Sequence, residues 1–390
     1  DYDNDGLVDI YLPSGSELPG SQAEDRPPSN RLFRNPGNSK FADVTDSARA
    51  GDVRFALGVI AADFDNDGDQ DLIVANFGES VLLVNQGDGT FASRAFPNAK
   101  SYDRVAAGLA MADLDQDGDL DLYIANYVVF DYREIKRQVF GVSVASGPLD
   151  FTPDVHTLFN NSGDGTFEDI TTTSGIGSAA GPGMGVIALD YNGDGRVDLF
   201  VCNDSAANFL WENQGELQFV EAALLAGVAY GANGDAQASM GADVGDIDRD
   251  GLLDVVATNF SEEVPNVYLN SGEGFFDDHG VQMGLGSLNR PVTWGVGLTD
   301  FDNDGYLDLF VGAGHLSEQL EAANTNHQAR LPNYLLKNVG GKKFVDVGDE
   351  SPDIRRPQIT RGIAIDDFNN DGLSDVVTLN MNDQPQLLIN

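Results

Sequence analysis

An acidic nine-residue motif, D-x-[DN]-x-D-G-x-x-D, occurs seven times along this chain. The copies begin at residues 1, 63, 113, 190, 246, 300 and 367, so consecutive copies lie 50 to 77 residues apart. Internal repetition at such a spacing is typical of folds assembled from equivalent structural units. This repeat therefore constrains the fold more strongly than any other feature of the sequence.

Short apolar segments flank each copy of the motif. Before copies two to seven stands a segment rich in Gly and Ala, such as LGVIAAD or GMGVIALD, and after each copy comes a more apolar one, such as DLIVANF. Their alternation and β-branched residues predict two strands. A third strand leads into a second recurring motif, N-x-G-x-x-x-F, which predicts a tight hairpin and a buried Phe that opens a fourth strand. This second motif begins at Asn35, Asn85, Asn161, Asn213, Asn270 and Asn338.

Seven repeats of four short strands, each joined as an antiparallel meander, predict an all-β fold: a seven-bladed β-propeller with the acidic loop between strands 1 and 2 of each blade. The Gly- and Ala-rich strand is expected to be innermost, because larger side chains would collide around the axis. We expect residues 1–390 to form a single propeller domain. The chain begins at the first acidic loop and ends at Asn390, where a seventh N-x-G turn would start, so we expect flanking segments to complete both end blades.

The acidic loops are interpreted as calcium sites, about seven in all. They offer oxygen ligands without His or Cys, and glycine at position 6 permits a sharp turn, which favours a hard cation and calcium before magnesium. Side chains at positions 1, 3, 5 and 9 and the backbone carbonyl at position 7 are expected to converge on one ion. Two loops have asparagine at position 3 and should bind more weakly. The predicted ligands, loop by loop, are Asp1, Asp3, Asp5, Leu7 and Asp9; Asp63, Asp65, Asp67, Asp69 and Asp71; Asp113, Asp115, Asp117, Asp119 and Asp121; Asp190, Asn192, Asp194, Arg196 and Asp198; Asp246, Asp248, Asp250, Leu252 and Asp254; Asp300, Asp302, Asp304, Tyr306 and Asp308; and Asp367, Asn369, Asp371, Leu373 and Asp375.

Two other interpretations of the loops are an EF-hand and a metal-free Asx-rich turn. The EF-hand loop also begins D-x-D-x-D-G, but it requires Glu at position 12 and flanking helices. Here position 12 is apolar or Thr and the flanks alternate as strands, so the EF-hand is rejected. A metal-free Asx-rich turn is a reasonable alternative for one copy, but seven copies in register favour calcium. The position-12 residues are Leu12, Val74, Ile124, Val201, Ala257, Val311 and Thr378.

Composition restricts the class of protein further. The chain has 22 Lys and Arg against 63 Asp and Glu, a formal charge of −41, yet 41% of its residues are hydrophobic, which argues against a disordered acidic chain. No basic cluster exists to bind nucleic acid, and no run of 18 apolar residues exists to span a membrane. The single cysteine, Cys202, excludes an intrachain disulfide and is interpreted as a small buried residue. We expect a secreted protein, extracellular or periplasmic.

Two connections between the second and third strands are much longer than the others, residues 128–156 and 313–333. In a meander these connections lie on the face opposite the acidic loops. Long ordered insertions are uncommon without a function, so we hypothesise that a protein or glycan partner binds this face. The first insertion holds Arg133, Lys136 and Arg137, interpreted mainly as a solvated helix face or as contacts with the protein's own acids, and the second holds His315, Glu318, Glu321 and His327, interpreted as a surface helix before a metal site.

Four stretches carry a resemblance to a known family: CNDSAANFLWENQG, AGVAYGANGDAQASMGADVGDIDRDG, WGVGLTDFDNDGYLDLF and GAGHLSEQ. With the acidic loops they resemble FG-GAP or VCBS-type repeats, the units of the integrin α-chain propeller, and more closely the family related to cartilage acidic protein. The resemblance spans essentially all of the chain and implies a seven-bladed, calcium-loaded, extracytoplasmic propeller without known catalytic residues. Two departures stand out: the chain ends where the family's C-terminal ASPIC/UnbV domain would be expected to begin, and every repeat has a competent loop, whereas integrin-type propellers fill only some blades.

Three functions remain open. The first is a non-enzymatic, calcium-dependent adhesion or protein-interaction module, since no nucleophile elbow, P-loop or Rossmann motif occurs. The second is a carbohydrate-binding or carbohydrate-active propeller, which would need paired carboxylates away from the acidic loops. The third is a scaffold for a C-terminal domain. The near-paired acids on the predicted partner face are Glu262, Glu263, Glu318 and Glu321, while Trp211 and Trp294 are expected to pack between blades rather than to stack on sugar.

Overall fold

The computed structural model describes residues 1–15, 28–37, 40–96, 104–131, 137–139, 142–144, 146–316, 318, 321 and 328–390. Antiparallel sheets that follow one another along the chain form the seven blades of an all-β propeller, as the repeat predicted. Blades 2 to 6 have four meander strands each, and the described strands of blades 1 and 7 number three each. Each acidic loop precedes the second meander strand of its blade.

The strand bounds follow the repeat closely. Blade 1 contains β1 (Ile10–Leu12), β2 (Arg31–Arg34) and β3 (Ala42–Asp43), and blade 2 contains β4 (Ala56–Ala62), β5 (Asp71–Asn76), β6 (Val81–Asn85) and β7 (Phe91–Ala95). Blade 3 is built on β8 (Arg104–Ala112) and β9 (Asp121–Val129). Its insertion contributes β10 (Arg137–Val139), β11 (Val142–Val144) and β12 (Thr152–Val155), and the blade continues with β13 (Thr157–Asn161), β14 (Phe167–Asp169) and the short β15 (Ala180–Gly181).

The remaining blades repeat the four-strand unit. Blade 4 contains β16 (Gly183–Leu189), β17 (Asp198–Asn203), β18 (Phe209–Asn213) and β19 (Phe219–Glu221); blade 5 contains β20 (Ala242–Gly245), β21 (Asp254–Ala257), β22 (Asn266–Asn270) and β23 (Phe276–Asp278). Blade 6 contains β24 (Thr293–Thr299), β25 (Asp308–Ala313), β26 (Tyr334–Asn338) and β27 (Phe344–Asp346), and blade 7 contains β28 (Thr360–Asp366), β29 (Asp375–Asn380) and β30 (Gln386–Leu388). The helical turns of the described chain are short: α1 (Thr45–Ala48), α2 (Ala223–Ala226) and the 3-10 turns Pro148–Asp150, Ile176–Ser178, Leu285–Asn289 and Gly348–Glu350.

The insertion of blade 3 folds back onto its own blade. Strand β12 pairs antiparallel with the end of β9, where Thr152 lies opposite Val129, and also with β15. Strands β10 and β11 form a separate hairpin. In this hairpin Arg137 lies on a strand rather than on a helix face, and it makes an ion pair with Asp150 at 3.3 Å, as the interpretation of contacts with the protein's own acids expected for this residue. Arg133 and Lys136 lie outside the described residues.

The innermost strands meet at glycine residues. Gly58, Gly108, Gly185 and Gly241 occupy equivalent positions, each five residues before its acidic loop, and a Cβ atom at any of them would collide with the backbone carbonyl of the next blade's inner strand. For Gly185 that carbonyl belongs to Met240, and it also accepts the Gly185 N–H at 2.7 Å. The expectation that small residues allow close approach around the axis is therefore confirmed.

Apolar burial lies between blades rather than in one central core. Six clusters of buried side chains each join two consecutive blades, from blades 1 and 2 through to blades 6 and 7. Trp211, 1% exposed, belongs to the cluster of blades 3 and 4, as predicted. Cys202 is fully buried between blades 4 and 5, and burial raises the pKa of its thiol.

Blade 7 meets blade 1 through an edge-to-face contact between Phe368 and Phe41, with ring centroids 6.3 Å apart.

Candidate functional site

Each acidic loop is a turn shaped by its own aspartates. In loop 2, the Asp63 carboxylate accepts the N–H of Asp67 at 3.1 Å and of Gly68 at 3.0 Å, and Asp67 accepts the N–H of Asp69 at 2.9 Å. Gly68 has φ +93°, a left-handed conformation that glycine adopts without steric cost, as position 6 was expected to require. All seven loops share this hydrogen-bond pattern.

The aspartate at position 9 is the deepest of the loop. Asp71 is fully buried; one carboxylate oxygen accepts the N–H of Asn85 at 2.7 Å and the other accepts that of Phe64 at 3.3 Å. Burial raises the pKa of Asp71 to about 7, against the lowering effect of these two N–H groups. The pKa values of Asp121 and Asp198 rise to about 7 and that of Asp254 to about 6 for the same reason. A nearby cation would relieve this cost of burying ionised carboxylates.

Carboxylates converge in five of the seven loops. Oxygen atoms of positions 1, 3 and 5 lie within 4.8 Å of one another in loops 1, 3, 5 and 6, and those of positions 1, 3 and 9 do so in loop 2. Asp3 Oδ1 and Asp65 Oδ1 are buried and accept no hydrogen bond. Loops 4 and 7 hold Asn192 and Asn369 at position 3. Several carboxylates around a buried oxygen without a donor are the chemistry that a hard cation such as calcium fits.

Burial and neighbouring charge act together at position 3. The pKa values of Asp65, Asp115 and Asp248 are raised, first by burial and then by the carboxylate two residues further along the chain. Like charges held this close disfavour ionisation unless a cation balances them. Among the described residues, ion pairs join a basic side chain to the carboxylates of loops 1, 4 and 6. Arg34 contacts Asp3 at 2.6 Å and Asp5 at 2.7 Å, Lys337 pairs with Asp302 and Asp304, and Arg196 pairs with Asp194.

The asparagine of the N-x-G turn joins neighbouring blades, a role that sequence reasoning missed. Asn213 Nδ2 donates to the carbonyl of Val197 in its own loop at 3.0 Å and to that of Leu114 in the preceding blade's loop at 2.7 Å. All seven asparagines donate to the position-2 carbonyl of a preceding loop, and Asn35 donates to Phe368 of blade 7, which closes the ring. The signal available in the sequence was the recurrence of asparagine as the first residue of each N-x-G turn.

Side chains at positions 2 and 4 also connect loops. The ring of Phe64, at position 2, packs on Phe167 of the next blade with centroids 5.7 Å apart. At position 4, Asn4 Nδ2 donates to Asp69 of the next loop at 2.6 Å and Asn66 Nδ2 donates to Asp119 at 2.7 Å. The acidic loops therefore form a ring of linked turns, which we call the loop face. A substitution in one loop can remove contacts that its neighbouring loop makes.

Two of the four acids predicted on the opposite face accept hydrogen bonds from nearby backbone N–H groups. Glu263 accepts the N–H of Ala238 at 2.8 Å, and Glu321 accepts the N–H of Ala329 at 3.0 Å. His315 is 8% exposed, and its ring lies against Phe260 with centroids 5.7 Å apart. His327 lies outside the described residues. Glu262 and Glu318 are exposed.

The fold and the loops define a class of protein, a β-propeller built of repeats that each carry an acidic loop, and comparison with known families agrees. The model of the FG-GAP-like repeat matches residues 1–74, 63–124, 144–201, 190–257 and 246–311, which together make up most of the chain. The chain belongs to this family. No helix among the described residues is both long and apolar enough to cross a membrane.

Among characterised proteins the chain is similar to cartilage acidic protein 1. It is 27% identical to the Mus musculus protein over 348 residues, which are 85% of this chain and 50% of that protein. It is 28% identical to the Xenopus tropicalis protein over 186 residues, 46% of this chain and 28% of that protein. The chain thus spans half or less of the length of these relatives.

Two solved structures show a similar course of the chain. One is an Agrocybe aegerita lectin described for specific recognition of non-reducing terminal N-acetylglucosamine, with TM-score 0.49 and 16% identity, covering 89% of this chain and 81% of that one. The other is a chain from the crystal structure of BBS1N in complex with ARL6DN, soaked with lead, with TM-score 0.47 and 9% identity, covering 95% and 94%.

Proposed function

We propose that this protein is an extracytoplasmic, calcium-dependent protein-interaction module, in which calcium holds the loop face together and the opposite face binds a partner. The observation that carries the proposal is the set of converging carboxylates around the buried, unpartnered Asp3 Oδ1 and Asp65 Oδ1. The relation to cartilage acidic protein supports the interaction role. The proposal assigns no catalytic activity to the chain.

Calcium would act on structure in this proposal. The loops are linked across blade boundaries by the asparagines of the N-x-G turns, so an ion bound in one loop would stabilise two blades. Extracellular calcium modules function with dissociation constants of about 10⁻⁴ to 10⁻³ M, and such weak sites suit calcium-rich surroundings outside the cytoplasm. With free calcium ten to a hundred times the dissociation constant, linkage adds about 1.4 to 2.7 kcal/mol per independent site.

The deciding experiment combines metal counting with thermal unfolding. The protein is dialysed against millimolar calcium, its bound metal is counted, and its unfolding is followed with calcium and with chelator. We expect about seven ions per chain, as one loop per blade predicts, and a large fall in the melting temperature with chelator. One or two ions, or no change in melting temperature, would contradict the proposal.

Two matched variants localise the ions. Asp65→Ala removes the buried oxygen of loop 2 that lacks a donor, and we expect the count to fall by one ion. Asp88→Ala removes an exposed carboxylate in the N-x-G turn of the same blade, where Asp88 accepts the N–H of Thr90 at 3.1 Å, and we expect no loss of metal. Equal counts in the two variants would show that loop 2 holds no ion.

The loops are not expected to be equal. Loops 4 and 7 offer three carboxylates rather than four because of Asn192 and Asn369. In loop 6, Lys337 lies against the same carboxylates that calcium would use, so an ion has to compete with a resident charge. We expect Lys337→Gln to bind calcium more tightly than the parent, with exposed Lys343→Gln as the control.

A further inference from the structure

Arg361 and Trp294 form a pair on the face opposite the acidic loops. Trp294 lies in β24 and Arg361 in β28, each six residues before the acidic loop of its blade, so both are near the strand ends farthest from those loops. The guanidinium carbon of Arg361 lies 4.1 Å from the centroid of the Trp294 ring, a close cation–π stack. The pair bridges the inner strands of blades 6 and 7.

Backbone carbonyls hold both side chains in place. The carbonyl of Gly314 accepts Trp294 Nε1–H at 2.7 Å and Arg361 Nη1–H at 3.0 Å, so a single acceptor orients the indole and the guanidinium. Arg361 also donates from Nη1 to Thr360 at 3.1 Å and from Nη2 to His315 at 3.3 Å. The stack is therefore fixed before any ligand arrives.

The guanidinium keeps unused donors on one edge. It has five N–H groups, and three carbonyls of the described residues accept from Nη1 and Nη2. In the planar guanidinium the Nε–H lies beside one of the two Nη2–H groups, and such a pair of donors matches the two oxygens of a carboxylate. Arg361 is only partly buried, and no acceptor for its Nε–H occurs among the described residues.

Charge at this position is not balanced within the described part of the protein. Other arginines on the same face pair with acids, such as Arg330 with Asp383 at 2.7 Å and Arg355 with Asp346 at 2.7 Å. Among the described residues, Arg361 contacts backbone carbonyls and the Trp294 indole but no acidic side chain, in a chain with 63 acidic residues. Burial lowers the pKa of Arg361 to about 10, which still leaves it charged at neutral pH. A partly buried cation that has no anionic partner is stabilised when an anion binds to it, because the ion pair offsets the cost of desolvation.

We propose that the Arg361 edge binds the carboxylate of an acidic side chain of a partner protein. Arg and Trp are the residues most enriched at the centres of protein interfaces. Leu316, which follows the His315 carbonyl bound by Arg361, is 49% exposed and offers apolar surface beside the charge, which suits a peptide segment better than a sugar. This inference rests on the proposed function, because it names the chemistry of the partner on the face assigned to it.

The experiment uses the calcium-loaded protein labelled with 5-fluorotryptophan. The chain has two tryptophans, so two ¹⁹F signals are expected, and Trp294→Phe assigns them. The probes are acetyl-Leu-Glu-Leu-amide, its neutral match acetyl-Leu-Gln-Leu-amide, and sodium glucuronate as an acidic sugar. We expect only the Glu peptide to shift the Trp294 signal to saturation at millimolar concentration, while the buried Trp211 signal stays in place.

Two variants distinguish the effect of the Arg361 charge from that of its planar guanidinium, and calcium counts control for folding. Arg361→Lys keeps the charge but loses the planar fork, and we expect the Glu peptide to bind about tenfold more weakly or worse. Arg330→Gln, on the same face but paired with Asp383, should bind as the parent does. Unchanged calcium counts in both variants show that the fold and the metal sites are intact, so a failure here is distinct from a failure of the calcium proposal.

Three results would overturn the inference. Equal affinity for the Glu and Gln peptides, or unchanged affinity in Arg361→Lys, would show that Arg361 only clamps blades 6 and 7 together. Binding of glucuronate without binding of the Glu peptide would assign the site to acidic glycans instead of proteins.

Discussion

At the scale of single residues, the asparagine of each N-x-G turn does more than start a hairpin. Asn213 is fully buried, and its side-chain amide bonds two carbonyls from two blades while Oδ1 accepts the N–H of Gly215 at 2.9 Å. Removal of the amide leaves buried carbonyls and an N–H without partners, which is more costly than loss of the hydrogen bonds themselves.

We therefore expect Asn213→Ala to lower the free energy of unfolding by about 2 to 4 kcal/mol. Urea unfolding in saturating calcium would measure the change. The neighbouring Gln214 is exposed, and Gln214→Ala should change stability by less than about 0.5 kcal/mol. Similar losses in the two variants would contradict the bridging role of Asn213.

A second residue-scale feature is a buried polar chain between blades 3 and 4. Trp211 Nε1–H donates to the Tyr123 hydroxyl at 3.0 Å, that hydroxyl lies 2.6 Å from His156 Nδ1, and His156 Nε2 lies 3.1 Å from the Gly181 carbonyl. These partners suit a neutral imidazole with its proton on Nε2, because the hydroxyl can then donate to Nδ1. Burial lowers the pKa of His156 to about 4, from a usual value of about 6.5.

This shift predicts a pH dependence. Between pH 6.5 and 4 the unfolded chain binds a proton that folded His156 resists, so its stabilising contribution is present above the unfolded pKa and is lost as the pH falls towards 4. We expect the parent to lose up to about 3 kcal/mol more than His156→Gln over this range. Urea unfolding of both proteins at several pH values tests this, since the other titrating groups are common to the two. Parallel pH curves would show that His156 is not the responsible group.

At the scale of elements, the inner strands set how closely the blades approach. A Cβ on Gly108 of β8 would collide with the Met184 carbonyl of β16, and backbone cannot move aside as a flexible side chain can. Blade 1 has no described inner strand beside the equivalent glycine of blade 7, Gly362, and among the described residues the nearest atom to a Cβ there is in the Leu379 side chain at 3.7 Å.

The two glycines make a matched pair for mutation. We expect Gly108→Ala to lower the melting temperature strongly, because overpacking at a close backbone contact costs about 1 to 3 kcal/mol or more. Gly362→Ala should be neutral or slightly stabilising, because the unfolded chain loses conformational freedom without a clash in the folded state. Thermal unfolding of both variants in calcium decides this. A larger loss from Gly362→Ala would contradict the account of inner-strand packing.

At the scale of the whole molecule, the main destabilising effect is electrostatic repulsion among the acidic side chains. The formal charge is −41, and hydrogen bonds from the asparagines link each acidic loop to the neighbouring blade around the ring. Seven calcium ions would bring +14 and reduce the formal charge to −27. Salt screens repulsion between exposed charges, with a Debye length of about 10 Å at 0.1 M ionic strength and 3 Å at 1 M.

We expect sodium chloride to stabilise the metal-free protein more than the calcium-loaded protein. In chelator, the melting temperature should rise steadily between about 0.05 and 0.5 M salt, because repulsion among loops is then screened by ions alone. With calcium bound, the same series should give a smaller rise. Equal slopes would indicate that the proposed ions do not relieve the repulsion on the loop face.

The sequence was sufficient to predict much of this protein. Seven acidic loops, each flanked by the same strand and turn motifs, predicted the propeller, and Gly68 with its positive φ lies where the loop pattern required glycine. Gly108 and its equivalents meet the next blade where small residues were expected. These inferences succeeded because they rest on local rules, strand alternation and turn chemistry, that repeat along the chain.

Only the tertiary structure showed which groups from different blades meet. Asn213 and Leu114 are 99 residues apart in sequence, and Arg361 and Trp294 belong to different repeats, so no local pattern announced either contact. The sequence by itself determined the repeat, the strands and the acidic loops, since each depends on residues close together in the chain. The links between loops and the exposed edge of Arg361 were decided by the closing of the ring, which sets the distance between blades and thereby which buried groups find partners.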